Sequence, residues 1–340
     1  MDIQVLKETV SRMLPKGKGI LAIDESMGSI KKRFDSINIE NTEENRRAYR
    51  DLLITADGIE EFISGMILFD ETIRQETQEG RKFVTVLKEK GIEVGIKVDM
   101  GAKEYPLHPG EKITEGLDGL RERLKEYKGL GATFAKWRAV ITIGEGLPTD
   151  SCIKANAHAL ARYAALCQEA GIVPMVEPEV LMDGSHSIDK CYEVTAKTLE
   201  VLFEELRGVG VNVEGVILKT NMVIDGDEVP QSARSDVATV AQKTIMCLKE
   251  NVPENIGGIV FLSGGQSDVD ATNNLNEMHK MFPDLPWTLS FSYGRAIQSP
   301  SLKCWHGNHE NVNEAQQILV KRSKLNALAA KGVYDSSMED

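Results

Sequence analysis

Residues 214–223 read Glu214-Gly215-Val216-Ile217-Leu218-Lys219-Thr220-Asn221-Met222-Val223, a β-type apolar run that carries one lysine just before the chain turns polar. Residues two apart on a strand share a face, so Val213, Gly215, Ile217 and Lys219 are expected to point the same way, and Lys219 would enter whatever space that row lines. The alternative is a strand-end lysine that carries its ammonium out to solvent. The other strand ends decide between the two.

Seven more runs of this kind occur: 19–25 (GILAIDE), 63–70 (ISGMILFD), 93–99 (EVGIKVD), 132–141 (ATFAKWRAVI), 173–180 (VPMVEPEV), 257–265 (GGIVFLSGG) and 287–296 (WTLSFSYGRA). Helical patterns lie between them. Residues 42–57 open with a Thr42 cap and an acidic first turn, and 150–170 place Ile153, Ala157, Leu160, Ala161, Ala164 and Ala165 on one stripe before Gly171. Similar patterns cover 114–127, 189–206, 232–250, 266–281 and 312–330. Strands alternating with helices imply parallel pairing, and eight such units close into an α/β (β/α)8 TIM barrel. With no Pro- or Ser-rich linker, residues 1–340 read as a single domain. Met1 to Glu8 start an amphipathic helix, without the apolar core of a signal peptide. Residues 334–340 (YDSSMED) form a short acidic tail expected to fray.

Composition narrows the function. Hydrophobic residues are 41% and charged residues 27%, enough to build a large core. A net charge of -12 argues against general nucleic-acid binding, which needs a basic footprint, but permits a local basic pocket. Five scattered cysteines without a CxxC indicate neither a disulfide framework nor a zinc site and point to a reducing compartment. No stretch has the roughly 18 consecutive apolar residues of a membrane span. A cytoplasmic protein is expected.

In a barrel of this type the carboxyl ends of the strands form one face, and that face holds the active site. The runs bring there Asp24; Lys97 and Asp99; Lys136 and Arg138; Glu177 and Glu179; Lys219; Ser263, Gly264 and Gly265; and Ser292 and Arg295. Lys136 and Arg138 share a face, as do Glu177 and Glu179. If Ala135 and Ala139 pack on helices, Lys136 and Arg138 face the barrel interior. Unpaired buried charges are costly, so such a rim builds either ion networks or a polar site. Convergence from this many strands favours a pocket for Lys219.

Two stretches have the form of anion cradles. Residues 262–267 (LSGGQS) offer backbone N–H groups at a helix start, and Ser292-Tyr293-Gly294-Arg295 adds a guanidinium. A second region follows the first run, with Ser26, Ser29, Lys31, Lys32 and Arg33 facing Lys97 and Arg138; a solvated basic helix face is the alternative reading of Lys31 to Arg33. Two anion sites flanking a lysine suggest a bisphosphate. The six histidines fall away from the strand ends, so no metal or other cofactor is expected, and covalent catalysis by an amine is the natural candidate.

Through GKGILAIDES, ENTEENRR, GIKVD, FAKWR, VEPE, LKTNMV, FLSGGQS and FSYGRA, from Gly17 to about Tyr334, the chain resembles the class I fructose-1,6-bisphosphate aldolases. The resemblance implies a metal-independent glycolytic and gluconeogenic lyase on a (β/α)8 barrel, typically a homotetramer. It makes Lys219 the Schiff-base lysine, Asp24 the acceptor of the C4 hydroxyl proton, and Lys136 a stabiliser of charge at the reacting carbons. Glu177 becomes the acid and base of the imine steps, with Glu179 orienting Lys219. Ser263, Gly264, Gly265, Ser292, Gly294 and Arg295 would hold the C1 phosphate, and Ser26, Ser29, Lys32, Arg33, Lys97 and Arg138 the C6 phosphate. The rivals are Schiff-base cleavage of sedoheptulose 1,7-bisphosphate or fructose 1-phosphate, and a barrel used as a scaffold, since the family is also known for cytoskeletal binding. The sequence ends at Asp340 without the longer, tyrosine-terminated tail of animal members, and Tyr334 matches an earlier tyrosine. Thr220 stands where many relatives have proline.

Overall fold

A computed structural model describes residues 2–339. Met1 and Asp340, at the ends of the N-terminal helix and acidic-tail readings, lie outside the described residues. Each of the eight runs contributes one parallel barrel strand: β1 (Gly19–Ala22), β2 (Ile63–Leu68), β3 (Glu93–Lys97), then, after a hairpin of β4 (Ala102–Glu104) and β5 (Lys112–Thr114), β6 (Phe134–Ile141), β7 (Val173–Val180), β8 (Ile217–Thr220), β9 (Gly258–Phe261) and β10 (Leu289–Tyr293). The ring closes in the order β1-β10-β9-β8-β7-β6-β3-β2. The (β/α)8 barrel is the fold of this chain.

Strand alternation sorts the core into two layers. Ile20, Ala22, Ile67, Phe134, Val173, Met175, Ile217 and Val260 fill the barrel, and Leu6, Val10, Met13 and Leu14 from the N-terminal helix Ile3–Met13 and its cap close its amino end. Residues of the opposite register, among them Leu21, Ile23, Met66, Ala135, Trp137 and Ala139, pack under the surrounding helices. Ala135 and Ala139 therefore face the helices, which turns Lys136 and Arg138 toward the axis.

Most helices lie where periodicity places them, with side-chain caps: Thr42 accepts from Asn45 N at 3.1 Å ahead of Glu43–Thr55, and Thr149, Asp236 and Ser267 cap Asp150–Glu169, Val237–Asn251 and Asp268–Met281. Three readings are corrected. The row leading to Lys219 is shorter than its apolar pattern, because Val213–Gly215 is a 3₁₀ turn capped by Asn212, leaving Ile217 and Lys219 as the shared face. The helix expected from residue 114 starts at Leu120, since Thr114 joins the hairpin, its hydroxyl donating to Arg138 O at 2.8 Å and its N–H to Asn156 Oδ1 at 3.2 Å. The acidic tail is tied down: Tyr334 is buried, its hydroxyl donates to Glu339 at 2.8 Å, and Glu339 pairs with buried Arg322 at 2.6 Å. Among the described residues no helix is long and apolar enough to cross a membrane.

Candidate active site

Two residues beyond the barrel-filling side chains, the inward register turns from apolar to charged. Ala22 is followed by Asp24, Phe134 by Lys136, Met175 by Glu177 and Ile217 by Lys219. These four form one chain of alternating charge. Lys136 Nζ lies 2.6 Å from Asp24 Oδ2 and 3.3 Å from Glu177 Oε2, and Lys219 Nζ lies 3.1 Å from Glu177 Oε1. Lys136, Glu177 and Lys219 are 3%, 3% and 4% exposed, so each ion depends on its neighbours.

The electrostatics follow from that packing. Burial opposes ionisation of Asp24, yet the ammonium groups of Lys136 and Lys219 hold its carboxyl well below the usual carboxylate range. Glu177 is likewise lowered: burial opposes, but Lys136, Lys219 and Arg138 prevail. Burial works against the charge on Lys136 too, and Asp24 and Glu177 overcome it, raising its pKa above that of a free lysine.

A second tier surrounds the chain. Lys97 pairs with Asp99 Oδ1 at 2.7 Å, and Asp99 accepts from the backbone N–H of Arg138 at 3.2 Å and of Gly101 at 3.1 Å. Arg138 pairs with Glu179. Glu179, expected to orient Lys219, is thus engaged by Arg138, and the carboxylate that touches Lys219 is Glu177. Thr220, next along β8, is buried with no hydrogen-bond partner for its hydroxyl among the described residues; nothing in the structure explains its presence there.

The glycine-rich loops lie on adjacent strands. After β9, Ser263 is buried and Gly264 and Gly265 adopt φ of 46° and 75°, a left-handed pair that only glycine enters without strain, ahead of the helix capped by Ser267. On β10 the Ser292 hydroxyl is buried without a hydrogen-bond partner among the described residues, and Gly294 caps the helix Arg295–Trp305, whose first residue is exposed. β9 and β10 stand across the ring from β3 and β6, which carry Lys97, Lys136 and Arg138. Ser26 and Ser29 share a hydrogen bond at 3.2 Å at the start of the helix Met27–Asp35. Lys31 pairs with Asp35, a solvated helix face, and Lys32 is exposed. Arg33, grouped by sequence with Lys97 and Arg138, sits instead beside the β10 loop: a β-carbon on Gly294 would stand 3.5 Å from its Nη2. Its Nη1 is held by Glu25 at 2.7 Å and Gln298 at 3.1 Å. Sequence reasoning missed Glu25 and Gln298; Glu25 lay in plain view beside Asp24, whereas Gln298 belongs to a helix the pattern did not show.

A parallel barrel with two buried lysines paired to carboxylates at its carboxyl rim, beside glycine-rich loops, is a barrel enzyme equipped for amine catalysis. The family model described as fructose-bisphosphate aldolase class-I matches residues 5–340, and the chain belongs to that family. It is 58% identical over 335 residues to the probable fructose-bisphosphate aldolase class 1 of Xanthomonas campestris pv. campestris, covering 98% of this chain and 99% of that one. It is 49% identical to the fructose-bisphosphate aldolase of Dictyostelium discoideum, covering 96% and 91%. A solved ternary complex of the Plasmodium falciparum aldolase with TRAP and a small-molecule inhibitor superposes with a TM-score of 0.95 at 48% identity, covering 98% of this chain and 96% of that one.

Proposed function

We propose that the chain catalyses the reversible, metal-independent aldol cleavage of fructose 1,6-bisphosphate to dihydroxyacetone phosphate and glyceraldehyde 3-phosphate, a step of glycolysis and gluconeogenesis. The observation that carries this is the Asp24–Lys136–Glu177–Lys219 chain. Proton transfer from the Lys219 ammonium to Glu177, 3.1 Å away, produces a free amine and a carboxylic acid together. The amine adds to the C2 carbonyl, and Glu177 returns the proton to the carbinolamine oxygen so that water leaves and an iminium remains. Ionised Asp24 takes the C4 hydroxyl proton as the C3–C4 bond breaks. The electron pair passes into the iminium to give an enamine, while the aldehyde departs. Lys136 stays cationic and steadies charge on the oxygens between Asp24 and Glu177. Ser263, Gly264, Gly265, Ser292, Gly294 and Arg295 receive one phosphate, with Arg33 at its edge. Ser26, Ser29, Lys32, Lys97 and Arg138 receive the other. We extend the reading to a cytoplasmic homotetramer on family grounds, which sedimentation of the pure protein would check.

Borohydride reduction in the presence of dihydroxyacetone phosphate is expected to leave one covalent adduct, mapped by peptide mass to Lys219, with cleavage unaffected by a chelator. An adduct on Lys136, or none, would overturn the assignment.

A further inference from the structure

Gln298 lies on the helix Arg295–Trp305, in the turn after Gly294, and is 0% exposed. Its Oε1 accepts from Arg33 Nη1 at 3.1 Å and from the Tyr49 hydroxyl at 2.9 Å. Its Nε2 donates to Glu25 Oε1 at 3.0 Å and to the Ala22 carbonyl. Both lone pairs and both N–H bonds of the amide are therefore used, and a flipped amide would set donor against donor. A carboxylate at this position would face Glu25, and an ammonium would face Arg33. Only a neutral group that both donates and accepts fits.

The consequence falls on Arg33. Glu25 divides its two oxygens between Arg33 at 2.7 Å and Arg50 at 2.6 Å, so it anchors the Arg33 guanidinium at a single nitrogen. Gln298 supplies a second anchor on that same nitrogen, which turns Nη2 toward Gly294. The main chain ties the two residues as well, since Gln298 N donates to Gly294 O at 2.9 Å. The end of β1 does not depend on this amide, because β1 is paired on both sides and Ile23 N donates to Ile67 O at 3.0 Å.

We propose that Gln298 is a positioning residue: it fixes the Arg33 guanidinium with one edge toward the Gly294 cradle and so sets affinity for the phosphorylated ketose without touching it. This rests on the aldolase reading of the site. In the full-length chain, Gln298→Met is expected to raise KM for fructose 1,6-bisphosphate roughly tenfold, the scale of one hydrogen bond to a charged group, with kcat nearly unchanged. The dissociation constant of inorganic phosphate, measured by calorimetry and so independent of turnover, should rise in parallel. In an Arg33→Ala background the same substitution should change neither value further. Tyr49→Phe, which removes a single hydrogen bond from Oε1, gives a milder version of the same shift and serves if Gln298→Met does not fold. Unchanged KM and phosphate affinity in an active variant would sink the proposal. So would an equal rise in the Arg33→Ala background, which would mean general loosening. Absence of cleavage by the unaltered chain would fail the aldolase reading instead, and the phosphate measurement would still decide the role of Gln298.

Discussion

Lys136 is the residue on which the site's charge balance turns. Among the described residues it is the one cation paired with both Asp24 and Glu177, and its ammonium is the largest of the charges that oppose the burial favouring their protonated forms. In Lys136→Met both carboxylates keep their burial and lose the cation that lowers them most, so their pKa values rise. In the proposed mechanism Asp24 must be ionised to take the C4 hydroxyl proton. Its folded pKa is depressed in the unaltered chain, so it is ready across the neutral range; in the variant the acid limb of the kcat profile should move to higher pH. The loss in kcat should be about 10²- to 10⁴-fold, the scale of a misplaced general base. Borohydride should still trap an adduct on Lys219, though more slowly. A kcat profile whose acid limb stays in place would show that Lys136 does not set the ionisation of Asp24.

At the scale of elements, the barrel strands were legible because parallel strands covered on both faces run nearly continuously apolar until a charge marks the rim. The same signal overran at residues 213–215, where apolar residues form a 3₁₀ turn, and failed for the hairpin of β4 and β5, whose three-residue strands are half exposed and alternate weakly. The helix Arg295–Trp305 was hidden by Pro300 in its interior and by the glycine that opens it. With it went Gln298. The rim residues themselves were readable from the period of two, but which carboxylate meets which cation depends on neighbouring strands, and so Glu177 and Glu179 could not be told apart by spacing. The tail was misread because acidity normally signals solvent, whereas Glu339 closes over Arg322, which also donates to Asp268 O and Thr272 Oγ1 at the start of the helix Asp268–Met281. Removing one partner of a largely buried pair costs about 3–5 kcal/mol, and the partial exposure of Glu339 reduces this to about 2 kcal/mol for Glu339→Gln. Burial opposes the charge on Glu339, but Arg322 and Tyr334 lower its pKa below the usual carboxylate value. The contribution is therefore complete above the unfolded pKa of about 4.3 and lost as pH falls through the folded value. Denaturant unfolding at pH 7 should separate the two proteins, and the gap should close in acid. A gap independent of pH would mean that the tail is held by packing and not by this ion pair.

Across the whole molecule, chemistry and stability occupy opposite ends of one barrel. The carboxyl rim concentrates buried, paired ions, and the amino end is closed by apolar side chains of the helix Ile3–Met13. That helix docks closely because β9 begins with glycine: a β-carbon on Gly258 would stand 2.3 Å from Leu14 Cδ1. Leu6 is 0% exposed and packs among Ile20, Val173, Ile217 and other barrel-filling residues, so truncating it opens a cavity in the barrel floor. A buried Leu→Ala change costs about 2–5 kcal/mol. With an unfolding entropy of roughly 2.1 cal/mol/K per residue, a chain of this length should then melt some 3–7 °C lower. The rim lies on the order of 15 Å farther along the strands, at about 3.3 Å per residue, and its ions are held by one another and by strand pairing. For Leu6→Ala, kcat and KM for fructose 1,6-bisphosphate at 25 °C are therefore expected to match the unaltered chain while the melting temperature falls. Reduced kcat at an unchanged melting temperature would show that the floor transmits strain to the rim, and that the two ends are not independent.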